Sequence, residues 1–148
     1  MTRSFAEVLL LIPAALCSGF VIFVACVFQG VMESVDEAAF KRILTELYKH
    51  AIKSIYAVSV ASVTFVGMIP YFIYYGAENR WFTAGLIFWV ITSIVSKVTN
   101  LPIYGRVFAL DAAETEKLNE ERRKLHNANI LRAVLSLISI ILMVIGLY

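Results

Sequence analysis

The chain has 148 residues, of which 60% are apolar and only 16% charged, with a formal net charge of +2. So little charge cannot clothe the surface of a soluble domain of this size, and the near-neutral balance leaves no electrostatic footprint for nucleic acid. The apolar residues fall into four blocks, each near the ~20 residues that a helix needs to cross ~30 Å of hydrocarbon. The expected architecture is therefore all-α: a single integral membrane domain, a four-helix transmembrane bundle threaded up-down-up-down.

The start, Met1-Thr2-Arg3-Ser4, resembles the n-region of a secretory signal. The apolar run from Val8 to Met32 is too long for such a signal, however, and no small-x-small site follows it, so residues 5–32 are expected to be a retained first span. Ala14-Ala15-Leu16-Cys17 is a poor lipoprotein box because bulky Leu16 precedes the cysteine. Pro13 predicts a kink, and Ala15 with Gly19 has the small-xxx-small spacing that permits close helix approach. Cys17 and Cys26 would lie ~13 Å apart along one helix, too far for a disulfide.

Ser34, with Glu37 three residues on, has the spacing of a capping box and predicts a helix start. Phe40, Ile43, Leu47 and Ala51 then share one face, an amphipathic lead-in that runs without a breaker into a second span at 54–75. Read this way, helix two is ~40 residues and ~60 Å long. A turn at 76–80 leads to a third span at 81–98, which Trp81 opens at the interface and Pro102 ends or bends. Residues 103–110 read as a connector. Asp111 followed by Glu114 predicts the last helix, over 112–146, polar at first and apolar through the fourth span at 130–147. Helices two and four are expected to project on the same side.

That side is strongly basic. Lys41, Arg42, Lys49, Lys53, Lys97, Arg106, Lys117, Arg122, Arg123, Lys124 and Arg132 belong to it, against Arg3 and Arg80 on the other. The bias predicts cytosolic basic segments and both termini extracytoplasmic, in a plasma or inner membrane. The run Arg122-Arg123-Lys124 suits lipid headgroups.

Up-and-down threading gathers the polar residues of all four helices near the inner membrane boundary. Cys26, Gln29 and Glu33 end the first span. Lys49, Lys53 and Tyr56 fall on one side of helix two. Ser93, Lys97, Asn100 and Tyr104 recur at i, i+4, i+7 and i+11, and His126, Asn129 and Arg132 occupy adjacent turns of the last helix. Ionisable groups at membrane depth are costly and face the bundle interior or water. Four stripes at one height suggest a cytosol-facing pocket, positive overall, suited to a lipophilic aromatic or anionic molecule. The plainer reading of Lys53 and Lys97 is that long side chains at helix ends snorkel to the interface. Only sixteen residues follow Arg132, ~24 Å of helix, so a full span must begin before it; it calls for pairing with Glu33 or for a ligand. His50 and His126, the only histidines, both precede a span on solvated helix. No metal-ligand cluster, CxxC pair, phosphate loop or Ser/His/Asp set is present.

Asn100-Leu101-Pro102, followed about thirty residues later by Asn129-Ile130-Leu131-Arg132, resembles the anthrone oxygenase-like family of small four-span membrane proteins. The resemblance covers most of the chain through short motifs. Asn100, Pro102, Asn129 and Arg132 match; Tyr104 stands where that family has Asn, and Leu125 where it has Trp. The resemblance implies oxidation of aromatic anthrones by O₂ without a bound cofactor. It also implies a base, for which His126 or Glu33 is the candidate, with Asn100, Asn129 and Arg132 as oxyanion donors. Lys53, Lys97 and Tyr104 join these as candidate ligand contacts. Arg123-x-x-His126-x-x-Asn129 is also similar to a motif of membrane-associated eicosanoid and glutathione enzymes, but there it sits in the second span and continues to Glu rather than Arg132. The remaining expected partners are membrane lipids, a second copy of the chain, or another membrane protein.

Overall fold

The computed structural model describes residues 2–148 and is all-α among them. Five helices come in order: α1 (Arg3–Glu33), α2 (Glu37–Ala51), α3 (Ile55–Tyr75), α4 (Arg80–Ala109) and α5 (Thr115–Ile145). All but α2 contain a stretch long and apolar enough to cross a membrane. They thread up-down-up-down. Arg3, Asn79 and Gly146 meet at one end, and Glu33 and His126 at the other, basic end.

Two apolar cores lie at different heights. Toward the terminal end, Leu10, Ala14, Tyr71, Phe82, Leu86, Trp89 and Met143 interlock. Toward the basic end, Met32, Phe40, Leu44, Ile103, Val107, Leu118 and Leu125 form a second cluster. Helices α4 and α5 make the closest pairing, because Gly85 lets the backbones meet. A Cβ there would stand 2.8 Å from both Met143 N and Ser139 O, and Ser139 Oγ donates to the Gly85 carbonyl at 2.8 Å. Ala15 and Gly19 do not serve this purpose. Gly19 is exposed with nothing near it, and the neighbouring Ala14 and Ser18 face inward instead.

Helix two is not one rod. It breaks at 52–54 into α2 and α3, although no Gly or Pro marks the spot. The cause is tertiary: Phe40 and Leu44 of α2 serve the basic-end core, whereas α3 leans on α1, and one straight cylinder cannot do both. The cap of α2 is Asp36, whose carboxylate accepts from Ala39 N at 2.7 Å. Ser34 instead donates back to the Val31 carbonyl at the end of α1. Asp111 and Glu114 do organise the entry to α5. Glu114 accepts from Asp111 N and Asp111 from Ala113 N, both at 2.9 Å.

Pro102 does not end the third long helix, and 103–110 is not a connector, since α4 continues to Ala109. A π-helical turn over Ser96–Asn100 precedes the proline. After it the α-helix restarts with Pro102 in its first turn, where a missing N–H costs nothing. A second π turn, Val24–Phe28, interrupts α1. Such turns add one residue to the helical repeat and concentrate at functional sites.

Candidate functional site

The two π turns bracket a polar layer between the cores. Gln29, Asn100 and Asn129, one from each of α1, α4 and α5, are all buried. Asn100 Nδ2 donates to Asn129 Oδ1 at 2.8 Å, and Asn129 Nδ2 donates to Gln29 Oε1 at 3.2 Å. Thr99 Oγ1 reaches Asn100 Oδ1 at 2.9 Å, and Gln29 Nε2 reaches Glu33 Oε1 at 3.4 Å. Glu33 Oε1 lies 2.6 Å from His126 Nδ1, a close approach without an aligned hydrogen bond. The chain of groups thus runs from the bundle interior to the basic surface, where Glu33 and His126 remain partly exposed.

Arg132 differs from the paired cations of this end. Lys49, Lys117 and Lys124 each meet a neighbouring glutamate, and their hydrogen bonds hold Glu46, Glu114 and Glu120 below the usual carboxylate range. Arg106 pairs with Glu121 at 2.8 Å. Arg122, buried on the polar first part of α5, likewise has no acid among the described residues: its Nε and Nη2 lack a hydrogen-bond partner, and its guanidinium lies over the Phe40 ring at 4.7 Å from the centroid. Arg132 has a neutral partner, Asn129 Oδ1, reached by Nη1 at 3.4 Å, while its buried Nε has none. Glu33, the acid expected to pair with it, is taken by His126 and Gln29. The helix ends at Ile145, ~20 Å beyond Arg132, and the residues between are all uncharged, so Arg132 lies deep in an apolar stretch. An uncompensated charge at such depth is costly.

Arg132 opens onto a cavity of about 240 Å³ between α1, the α2 end of the break, α4 and α5. Phe20, Val24, Leu44 and Leu47 give it apolar walls, and Tyr48, Ser96 and Tyr104 supply hydroxyls. The rings of Tyr48 and Tyr104 lie 5.4 Å apart, with Phe108 against both, so this wall is an aromatic cluster. A comparison with family models, curated proteins and solved structures finds no match.

The expected residues therefore divide. Arg132 and Tyr104 line the cavity. Asn100 and Asn129 lie beside it with their amides turned to each other, and Glu33 and His126 stand at the far end of the hydrogen-bonded chain. Lys53, in the break between α2 and α3, and Lys97, on the π turn, are exposed and outside the cavity.

A second polar centre, which the sequence reading did not anticipate, lies at the terminal end. Glu7 is 2% exposed, and its Oε1 accepts from Tyr71 Oη at 2.9 Å and Asn79 Nδ2 at 2.8 Å, with Arg3 Nε at 3.4 Å. Asn79 also donates to the Gly146 carbonyl at 2.6 Å and caps α4 through Phe82 N. One carboxylate thereby ties the ends of all four long helices. Its sequence signal is plain: Glu7 is the lone acid within the apolar run of the first span. Among the described residues no cluster of His, Cys, Asp and Glu is placed to hold a metal.

Proposed function

We propose that the protein spans a plasma or inner membrane four times, with its basic end in the cytosol and both termini outside. There it binds a lipophilic monoanion, aromatic or aliphatic, in the cavity beside Arg132. The observation that carries this reading is the unpaired guanidinium itself. A half-buried cation with a neutral partner in a spanning helix needs an anion, and the adjoining space is walled by apolar and aromatic side chains. Tyr48 and Tyr104 would add hydroxyl donors for the anionic oxygen, and Arg132 a fork that matches a carboxylate or enolate. The basic surface, rich in lysine and arginine, would rest against anionic lipid headgroups.

The test is binding of the fluorescent anion anilinonaphthalene sulfonate to protein in neutral-lipid nanodiscs. Arg132→Gln should weaken it ~10–100-fold, as expected for a lost hydrogen bond to a charged group, and Arg132→Lys should restore part. Equal affinity of the Arg132→Gln variant would overturn the reading.

A second reading, cofactor-independent oxidation of an anthrone, draws support from the 2.6 Å approach of His126 to Glu33. That pair is linked to Arg132 through Gln29 and Asn129, so a base and an oxyanion donor share one hydrogen-bonded chain. Oxygen-dependent conversion of an anthrone by purified protein, lost in His126→Ala and Glu33→Ala, would favour it over simple binding.

A further inference from the structure

A second cavity of about 240 Å³ adjoins the first. Phe20, Leu47 and Ala51 form the partition between them, lining both. Beyond it the second cavity is bounded by Cys17 of α1, His50 of α2, and Ser54, Tyr56 and Val60 at the break and in α3. The two differ in character. The first holds Arg132 and the tyrosine hydroxyls; the second is almost wholly apolar and is bordered by α3, the least enclosed of the long helices. Taken together they have the size of an ordinary small-molecule site, whereas either alone falls short.

Among the described residues Arg132 is also the lone Lys or Arg lining either cavity. A single half-buried guanidinium balances one negative charge, and its planar fork fits the two oxygens of a carboxylate. A phosphate monoester, with nearly two charges at neutral pH, would be left with charge unmatched. From this geometry we infer that the two cavities are one site for a single-chain carboxylate. The head lies on Arg132 beside Tyr48 and Tyr104, the chain crosses Phe20, and the tail fills the space next to Cys17. The inference rests on the anion-binding reading above and adds the ligand class and the course of its tail.

The experiment is a displacement series with saturated straight-chain carboxylates of increasing length, hexanoate to dodecanoate, on full-length protein in neutral-lipid nanodiscs. Two readouts are used. The first is Cys17→Phe, which narrows the second cavity alone. If it displaces about two methylenes, it should weaken dodecanoate roughly tenfold and leave hexanoate unchanged. The second needs no change at the site. In a Cys26→Ser background, where Cys17 is the remaining thiol, dodecanoate should slow Cys17 alkylation by N-ethylmaleimide, and hexanoate should not.

If carboxylates of all lengths bind through Arg132 but neither readout depends on length, the joined site is refuted and the anion reading stands. If no carboxylate binds and Arg132→Gln changes nothing, both fall. Tighter binding of dodecyl phosphate than of dodecanoate would overturn the choice of head group.

Discussion

Asn129 is the hub of the polar layer, and Asn129→Leu is the most direct test of how that layer holds α1, α4 and α5 together. The substitution keeps the branched heavy-atom skeleton, in a somewhat larger side chain, and removes both ends of the amide. It orphans Asn100 Nδ2, which had donated at 2.8 Å, and Gln29 Oε1, which had accepted at 3.2 Å. A buried polar group left unpaired costs about 1–3 kcal/mol in water-soluble proteins. Hydrogen bonds between helices in lipid average nearer ~0.6 kcal/mol, because the separated helices find other partners. With Arg132 Nη1 also losing its acceptor, three groups are left unpaired, which places Asn129→Leu at roughly 2–5 kcal/mol. Asn100→Leu should cost less, about 1 kcal/mol, since Asn129 Oδ1 keeps Arg132. The double variant removes donor and acceptor together and leaves only Gln29 Oε1 and Arg132 Nη1 unpaired, so it should be more stable than Asn129→Leu. The assay is reversible unfolding in mixed detergent micelles, followed by tryptophan fluorescence and helical circular dichroism. A double variant whose loss equals the sum of the singles would show that the two amides do not act as a pair.

Gly85→Ala should cost about 1–3 kcal/mol, because backbone atoms of α5 rather than a flexible tip occupy the space. Gly105→Ala, in open surroundings on α4, should instead stabilise by ~0.5–1 kcal/mol, and both are read from the same unfolding curves. Glu7→Ala leaves Tyr71 Oη without its acceptor, while Asn79 keeps the Gly146 carbonyl and Arg3 keeps Glu78, and should cost about 1–3 kcal/mol. Glu7→Gln, which keeps an acceptor oxygen, should recover much of that, and equal losses for the two would argue against the clasp. For topology, single cysteines replacing Lys41 or Lys117 in a Cys17→Ser/Cys26→Ser background should react with an impermeant maleimide only after cells are opened. A cysteine appended after Tyr148 should react in intact cells.

The four long helices were legible because their apolar blocks are long and cleanly bounded. All the lysines and arginines but Arg3 and Arg80 likewise fall at one end of the bundle. What misled was the assumption of an unbroken α-helical repeat. Ser93, Lys97, Asn100 and Tyr104 form one stripe at 3.6 residues per turn, but the π turn over Ser96–Asn100 inserts a residue and rotates the helix beyond it by ~100°. Lys97 is then exposed while Asn100 meets Asn129. The same happens in α1, where Cys26 is exposed while Gln29, past its π turn, is buried. The sequence marks neither turn beyond the nearby Pro102. The break at 52–54 was equally silent, since it arises from what α2 and α3 each pack against and not from local chemistry. Arg132 was legible by its depth in the last span. Its lack of an acid was not, because that depended on Glu33 going to His126.

The way α3 leans on α1 has a consequence for biogenesis. In synthesis from the N-terminus, α1 and α3 can pair as a hairpin while the rest of the chain is still being made. Gly85 and Ser139 then draw α4 and α5 into a second hairpin, and assembly finishes when α5 docks on α1. The first helix therefore keeps one face, with Gln29, open until the last helix arrives with Asn129.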